Sequence, residues 1–186
     1  IRGEDGAVAA VVEERDADEA QRAVCEINSG AYWFDAAFLA KALEGLTPKN
    51  AQGEYYLTDT VAASNAAGLR AGAFVCADAD MTLGANDRRQ LRTLNEIARM
   101  RVLERHLDNG VDIPCFDGVM IAPDVQIEHD AQVLPGTVLR GNTRIGAHSV
   151  IGPNSYVENS IIGADTRVLA SYITDSTVGS GTRIGP

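Results

Sequence analysis

Seven aliphatic residues stand at intervals of six: Ile121, Ile127, Val133, Leu139, Ile145, Ile151 and Val157. That spacing constrains the fold more than any other feature of the chain. It is neither the 3.6-residue period of a helix nor the two-residue alternation of a half-buried strand. It is the period of hexapeptide repeats, in which each hexad supplies one short strand and one corner of a parallel β-helix. A small residue follows four positions after the aliphatic one, at Ala131, Thr137, Thr143, Ser149 and Ser155. In such a coil the aliphatic side chain points into a narrow prism and stacks on its counterpart one coil away. The small residue fits beside it.

Gly146, Gly152, Gly163, Gly179 and Gly185 each follow an aliphatic directly, and are expected to relieve the backbone at corners. After Val157 the spacing slips: Ile162, Val168, Ile173, Val178 and Ile184 follow at steps of five, six, five, five and six. Shortened corners, rather than loss of the repeat, account for the slips. A β-sandwich with evenly spaced turns is the alternative. Coils of this kind cannot bury their faces alone, so they need neighbours and tend to associate.

The chain has 186 residues, a net charge of −10 and a sequence pI near 4.7. That charge argues against a nucleic acid or an anionic membrane as partner. Cys25, Cys76 and Cys115 are odd in number and widely spaced, as expected of reduced thiols in a cytoplasmic protein. No apolar run approaches the length of a membrane span, and no signal-peptide pattern opens the chain. The first residue is not Met and the last three, Ile184-Gly185-Pro186, fall within a repeat. A piece of a longer protein is therefore expected.

Upstream of the repeats the pattern changes. Residues 1–85 read as alternating strands and helices, the pattern of an α/β layer. Strands are expected at Ala7 to Glu13, Ala31 to Phe34 and Ala73 to Cys76. Asp35 is placed to cap a helix through Phe38, Leu39 and Leu43, and Thr58-Asp59 to open another through Val61 and Leu69. Residues 86–110 read as one long helix. Asp87 and Gln90 have capping-box spacing, Leu91, Leu94, Ile97, Met100, Leu103 and Leu107 recur at helical intervals, and Asn109-Gly110 is a stop. The helix spans about 30 Å and is expected to act as an arm between two domains. The β-helix occupies 111–186.

Four local motifs add an identity to this order: Val12-Glu13-Glu14-Arg15-Asp16-Ala17, Glu26-Ile27-Asn28-Ser29-Gly30, Asn50-Ala51-Gln52-Gly53-Glu54-Tyr55-Tyr56-Leu57-Thr58-Asp59 and Gly84-Ala85-Asn86-Asp87-Arg88. With the hexads they resemble the bacterial family of bifunctional UDP-N-acetylglucosamine pyrophosphorylases and glucosamine-1-phosphate N-acetyltransferases. The resemblance implies the C-terminal half of a Rossmann-like nucleotidyltransferase domain, a helical arm and the start of a left-handed parallel β-helix. It implies UTP, N-acetylglucosamine 1-phosphate, glucosamine 1-phosphate and acetyl-CoA as substrates, Mg²⁺ as cofactor, a homotrimer, and cytoplasmic location. The catalytic groups of both reactions are expected outside this chain.

The same resemblance assigns residues. Glu13 would accept hydrogen bonds from sugar hydroxyls; its alternative is a charged surface turn. Asn28 would use its amide donor and acceptor on the sugar; its alternative is a turn former in Asn-Ser-Gly. Tyr56 and Thr58 would approach the sugar and its phosphate, each donating a hydroxyl hydrogen bond; their alternatives are a half-buried core residue and a helix N-cap. Asn86 would contact the nucleotide sugar and supply one oxygen to Mg²⁺. Its alternative is the N-cap of the arm, unless Asp87 does that capping. The family has a second Asn where this chain has Asp87, and the stretch Pro114-Cys115-Phe116-Asp117 departs from the family's Asp-Pro entry to the β-helix. His106, His129 and His148 form no close pair in the sequence, which argues against zinc. Two rival readings remain: a single-activity nucleotidyltransferase with a regulatory β-helix, and a non-catalytic trimerisation module.

Overall fold

The computed structural model describes all residues from Ile1 to Pro186. Two compact units are formed, Ile1–Leu83 and Gly84–Pro186.

In the second unit, twelve strands of two or three residues form three parallel sheets. One sheet stacks β1 (Met120–Ile121), β4 (Val138–Arg140), β7 (Tyr156–Glu158) and β10 (Tyr172–Thr174). A second stacks β2 (Gln126–Ile127), β5 (Arg144–Ile145), β8 (Ile161–Ile162) and β11 (Thr177–Val178). The third stacks β3 (Gln132–Val133), β6 (Val150–Ile151), β9 (Arg167–Val168) and β12 (Arg183–Ile184). Consecutive strands belong to different sheets, so each sheet is one wall of a solenoid of about four coils. This is the architecture of the left-handed parallel β-helix.

The hexad aliphatics form the core. Ile121 pairs with Leu139, Leu139 with Val157 and Val157 with Ile173. Equivalent columns run Ile127, Ile145, Ile162, Val178 and Val133, Ile151, Val168, Ile184. Leu139, Ile151 and Val157 are fully buried. The slips after Val157 are shortened corners. The register advances 18 residues from Leu139 to Val157 but only 16 from Val157 to Ile173, with the inward residues still paired. Period is lost in the sequence because corners shorten; pairing survives because strand spacing is unchanged.

The corner glycines differ from expectation. Of the five, only Gly152 and Gly185 have positive φ. Other left-handed positions along the solenoid are filled by Asp130, His148, Asn154, Asn159, Asp165 and Asp175, types enriched in that region, by Ala170, and by glycines such as Gly136 and Gly141. Gly146 and Gly163 are needed for closeness instead. A Cβ on Gly146 would lie 2.5 Å from the backbone nitrogen of Ala164, and one on Gly163 at 2.5 Å from that of Ser180.

Helix α4 (Arg88–Asp108) belongs to this same unit. Asp87 is its N-cap and accepts the N–H of Gln90 at 2.8 Å. The other half of the expected box is displaced by one residue, since Gln90 Oε1 accepts from the N–H of Asn86. Leu103 is fully buried and clusters with Val111, Ile113, Val119 and the solenoid aliphatics. Arg99 donates to the carbonyls of Phe116 and Val119, fixing the helix over the entrance to the first coil.

The first unit holds helices α1 (Glu19–Arg22), α2 (Ala36–Glu44) and α3 (Asp59–Ala66), and a 3₁₀ turn at Ala79–Thr82. Asp35 caps α2 by accepting from the N–H of Phe38 at 2.8 Å, as its sequence implied. Helix α3 stops at Ala66, before Leu69. The three expected strands do not form ladders: 7–13, 31–34 and 73–76 contain no strand, and the one bridge there joins Arg2 to Val8. A strand exists only through a hydrogen-bonded neighbour, and these segments are not paired with one another. Several of their apolar side chains stay uncovered, Trp33 fully and Phe74 at 95% exposure, while Val8, Val11, Val12 and Phe34 are half-buried.

Candidate functional site

Two of the four motifs meet in the first unit. The chain turns at Glu13, whose carbonyl accepts the N–H of Asp16 at 3.0 Å. That turn carries Asp16 to the segment after Asn50. One oxygen of Asp16 accepts the N–H of Ala51 at 2.7 Å, and the other accepts the Tyr56 hydroxyl at 3.3 Å. Tyr56 in turn accepts from Gln52 Nε2 at 2.8 Å, and Gln52 Oε1 accepts from the Arg15 guanidinium at 3.0 Å. Asn50 folds its own loop, with Oδ1 accepting the N–H groups of Gln52 and Glu54. Partial burial of the phenol raises the Tyr56 pKa above the usual tyrosine value. Gln52 opposes this by donating, and the charge and acceptor of Asp16 reinforce it.

The remaining assigned residues are placed as follows. Glu13 is half-buried at the head of the turn. Asn28 is exposed; its amide donates to the Tyr32 hydroxyl at 2.7 Å and its oxygen accepts the N–H of Gly30, the turn geometry expected of Asn-Ser-Gly. Thr58 stands at the start of α3 but makes no capping bond. Its hydroxyl is buried without a partner. Tyr56 is therefore joined to the Glu13 turn through Asp16, whereas the Asn28 bonds stay local. Arg15, Asp16 and Gln52 lie inside the quoted motifs but carry no signal of pairing, because their partners are 35 to 40 residues away.

In the second unit Asn86 lies exposed just before the N-cap of α4, where Asp87 does the capping. Its amide offers one neutral oxygen. That suits a cation such as Mg²⁺, which takes one or two protein oxygens and completes its shell with phosphate and water. No group of three His, Cys, Asp or Glu side chains is arranged to hold a metal.

The histidines correct the sequence reading. Nineteen residues are close to one coil, so His129 and His148 become neighbours with ring centroids 5.8 Å apart. His129 Nδ1 pairs with Asp130 Oδ2 at 2.8 Å, and this bond, then the His129 and His148 charges, draw the Asp130 carboxyl below its usual range. His106 is buried, and both ring nitrogens lack a partner. Burial, and then the charge of Arg105, push its pKa down. No helix is long and apolar enough to cross a membrane.

A solenoid of hexad coils joined to a capped helix defines the class of hexapeptide-repeat transferases, and the bacterial transferase hexapeptide family (six repeats) matches residues 118–159. Similarity then extends along all 186 residues. The chain is 44% identical to the Bifunctional protein GlmU of Caldanaerobacter subterraneus subsp. tengcongensis, 44% to that of an Exiguobacterium species and 41% to that of Clostridioides difficile. In each case the whole chain is covered, and it spans 40–41% of the relative's length. The chain belongs to the GlmU family.

Proposed function

We propose that this chain is part of a bifunctional enzyme of UDP-N-acetylglucosamine synthesis. The observation that carries the reading is the extent of the similarity. Relatives named as bifunctional match both units without a break, not the hexad array alone. The relay joining the Glu13 turn to the Tyr56 segment supports it, since it uses the motifs that separate this family from other hexapeptide-repeat proteins.

In this reading the first unit serves uridylyl transfer. An oxygen of N-acetylglucosamine 1-phosphate attacks the α-phosphorus of UTP. A P–O bond forms there as the bond to the β-phosphate bridging oxygen breaks, and pyrophosphate leaves with the electron pair. Glu13 and Asn28 hold the sugar by its hydroxyls and amide, with Tyr56 and Thr58 beside it, so the reactants meet already oriented. Mg²⁺, with Asn86 as one ligand, supplies charge neutralisation between the two anions when bound. The solenoid belongs to the acetyl-transfer half, taking acetyl from acetyl-CoA to glucosamine 1-phosphate, in a cytoplasmic homotrimer. Its outer wall carries Met120 and the stacked pair Tyr156 and Tyr172, 4.5 Å apart, which supports association through the solenoid.

The test uses the full-length protein carrying this chain. Pyrophosphate release from UTP and Mg²⁺ is followed with N-acetylglucosamine 1-phosphate or glucose 1-phosphate, for wild type and Asn86→Ala. Preference for the acetylated sugar, lost in the variant, supports the reading. Equal use of glucose 1-phosphate points to a single-activity nucleotidyltransferase, and no turnover to an assembly module. The 186-residue chain by itself is expected to be inactive in both reactions.

A further inference from the structure

The polarity of the relay in the first unit is forced from both ends. A guanidinium only donates, so the Gln52 oxygen must face Arg15 and the Gln52 NH₂ must face Tyr56. The phenol oxygen therefore accepts from Gln52. At the far end Asp16 is a carboxylate that only accepts, and its other oxygen is taken by the N–H of Ala51. The phenol proton thus goes to Asp16. Hydrogen bonds run one way, Arg15 to Gln52 to Tyr56 to Asp16, and a single phenol lone pair is left over.

We propose that Tyr56 is a specificity-determining residue that meets the sugar as a hydrogen-bond acceptor, selecting a ring hydroxyl or amide N–H, with Asp16 as the residue that sets this polarity. This rests on the uridylyl-transfer reading. It departs from the role the sequence implied for Tyr56, donation to a phosphate oxygen, because the one proton available is committed inward.

Asp16→Asn is the decisive variant. Its oxygen stays on the Ala51 N–H, so its new NH₂ faces Tyr56. With donors from Gln52 and Asn at 16, the phenol must turn its proton outward, against a donor of the sugar. In the full-length protein Tyr56→Phe is expected to raise KM for N-acetylglucosamine 1-phosphate about tenfold, the loss of one acceptor, with kcat within about threefold and KM for UTP unchanged. Asp16→Asn is expected to raise it further, and the double variant to bind better than Asp16→Asn alone. Unchanged KM in Tyr56→Phe, or a double variant at least as poor as Asp16→Asn, overturns the proposal.

A second readout needs no turnover. In the 186-residue chain the Tyr56 ionisation, taken as the ultraviolet difference from Tyr56→Phe, is expected to shift to lower pH in Asp16→Asn with the circular dichroism unchanged. An unshifted titration removes the relay itself. A shifted titration beside an enzyme without uridylyl transfer leaves the relay in place but removes the sugar, and with it both this proposal and the function it rests on.

Discussion

Ser149 and Thr166 are joined across adjacent coils: Ser149 Oγ accepts the backbone N–H of Thr166 at 3.0 Å while donating to the carbonyl of Gly163 at 2.9 Å. The same arrangement climbs the solenoid. Thr166 Oγ1 donates to the Gly179 carbonyl and accepts from Thr182, and Ser160 Oγ accepts from Ser176. The small hexad residues therefore satisfy backbone groups in the interior, where an unpaired one is costly. Ser149→Ala keeps the volume and removes both bonds. A loss of about 1–3 kcal/mol in urea unfolding is expected, against no more than about 0.5 kcal/mol for Ser176→Ala, whose side chain is exposed. Equal effects would show that the ladder adds nothing beyond packing.

Gly146 and Gly179 occupy the same hexad position but differ in surroundings. A methyl at Gly146 meets backbone atoms of Gly163 and Ala164 that cannot move without opening the coil, whereas nothing lies within 4 Å of one at Gly179. Gly146→Ala is expected to cost the upper end of about 1–3 kcal/mol and Gly179→Ala to be within about 0.5 kcal/mol of wild type. Thermal unfolding of the two variants side by side checks this.

Leu103 is the fully buried residue of α4. Leu103→Ala leaves a cavity between the helix and the first coil, with an expected loss of about 2–5 kcal/mol. Amide hydrogen exchange should show it as faster exchange over α4 and 111–121, with the central strands β5 and β6 least affected.

His106 makes stability depend on pH with a definite sign. Its folded pKa lies below its unfolded value because burial disfavours the charged ring. Above the ordinary histidine value of about 6.5 both states are neutral and the residue adds no pH dependence. As pH falls below that value the unfolded chain takes up a proton that the folded one refuses, so stability drops until the folded pKa is reached. Urea unfolding at pH 7.5 and 5.5 should show a smaller loss in His106→Leu than in wild type. An identical loss in both would place the proton uptake elsewhere.

The legibility of this chain was uneven for physical reasons. Hexad aliphatics are read easily because each faces the same environment in every coil; Ile121, Leu139 and Val157 are buried by one geometry repeated. Caps are read easily because Asp35 and Asp87 act on residues three positions away. The strands expected near Ala7, Ala31 and Ala73 rest on local composition, and composition does not provide ladder partners. Among the candidate residues, motif marks Glu13, Asn28, Tyr56, Thr58 and Asn86, while nothing local singles out Asp16 and Gln52. Their importance lies in bonds that close over a long stretch of chain, and no local pattern records such a closure.

The sequence by itself determined the solenoid, its core columns, the capped helix and membership of the GlmU family, since periodicity, capping and motif are all short-range patterns. Tertiary structure alone decided where the hydroxyl ladder runs, that His129 and His148 face one Asp130, and which way the Tyr56 proton points. Each of these depends on groups from different coils or loops coming within hydrogen-bonding distance, and that distance is set by the folded path of the chain rather than by any residue's neighbours along it.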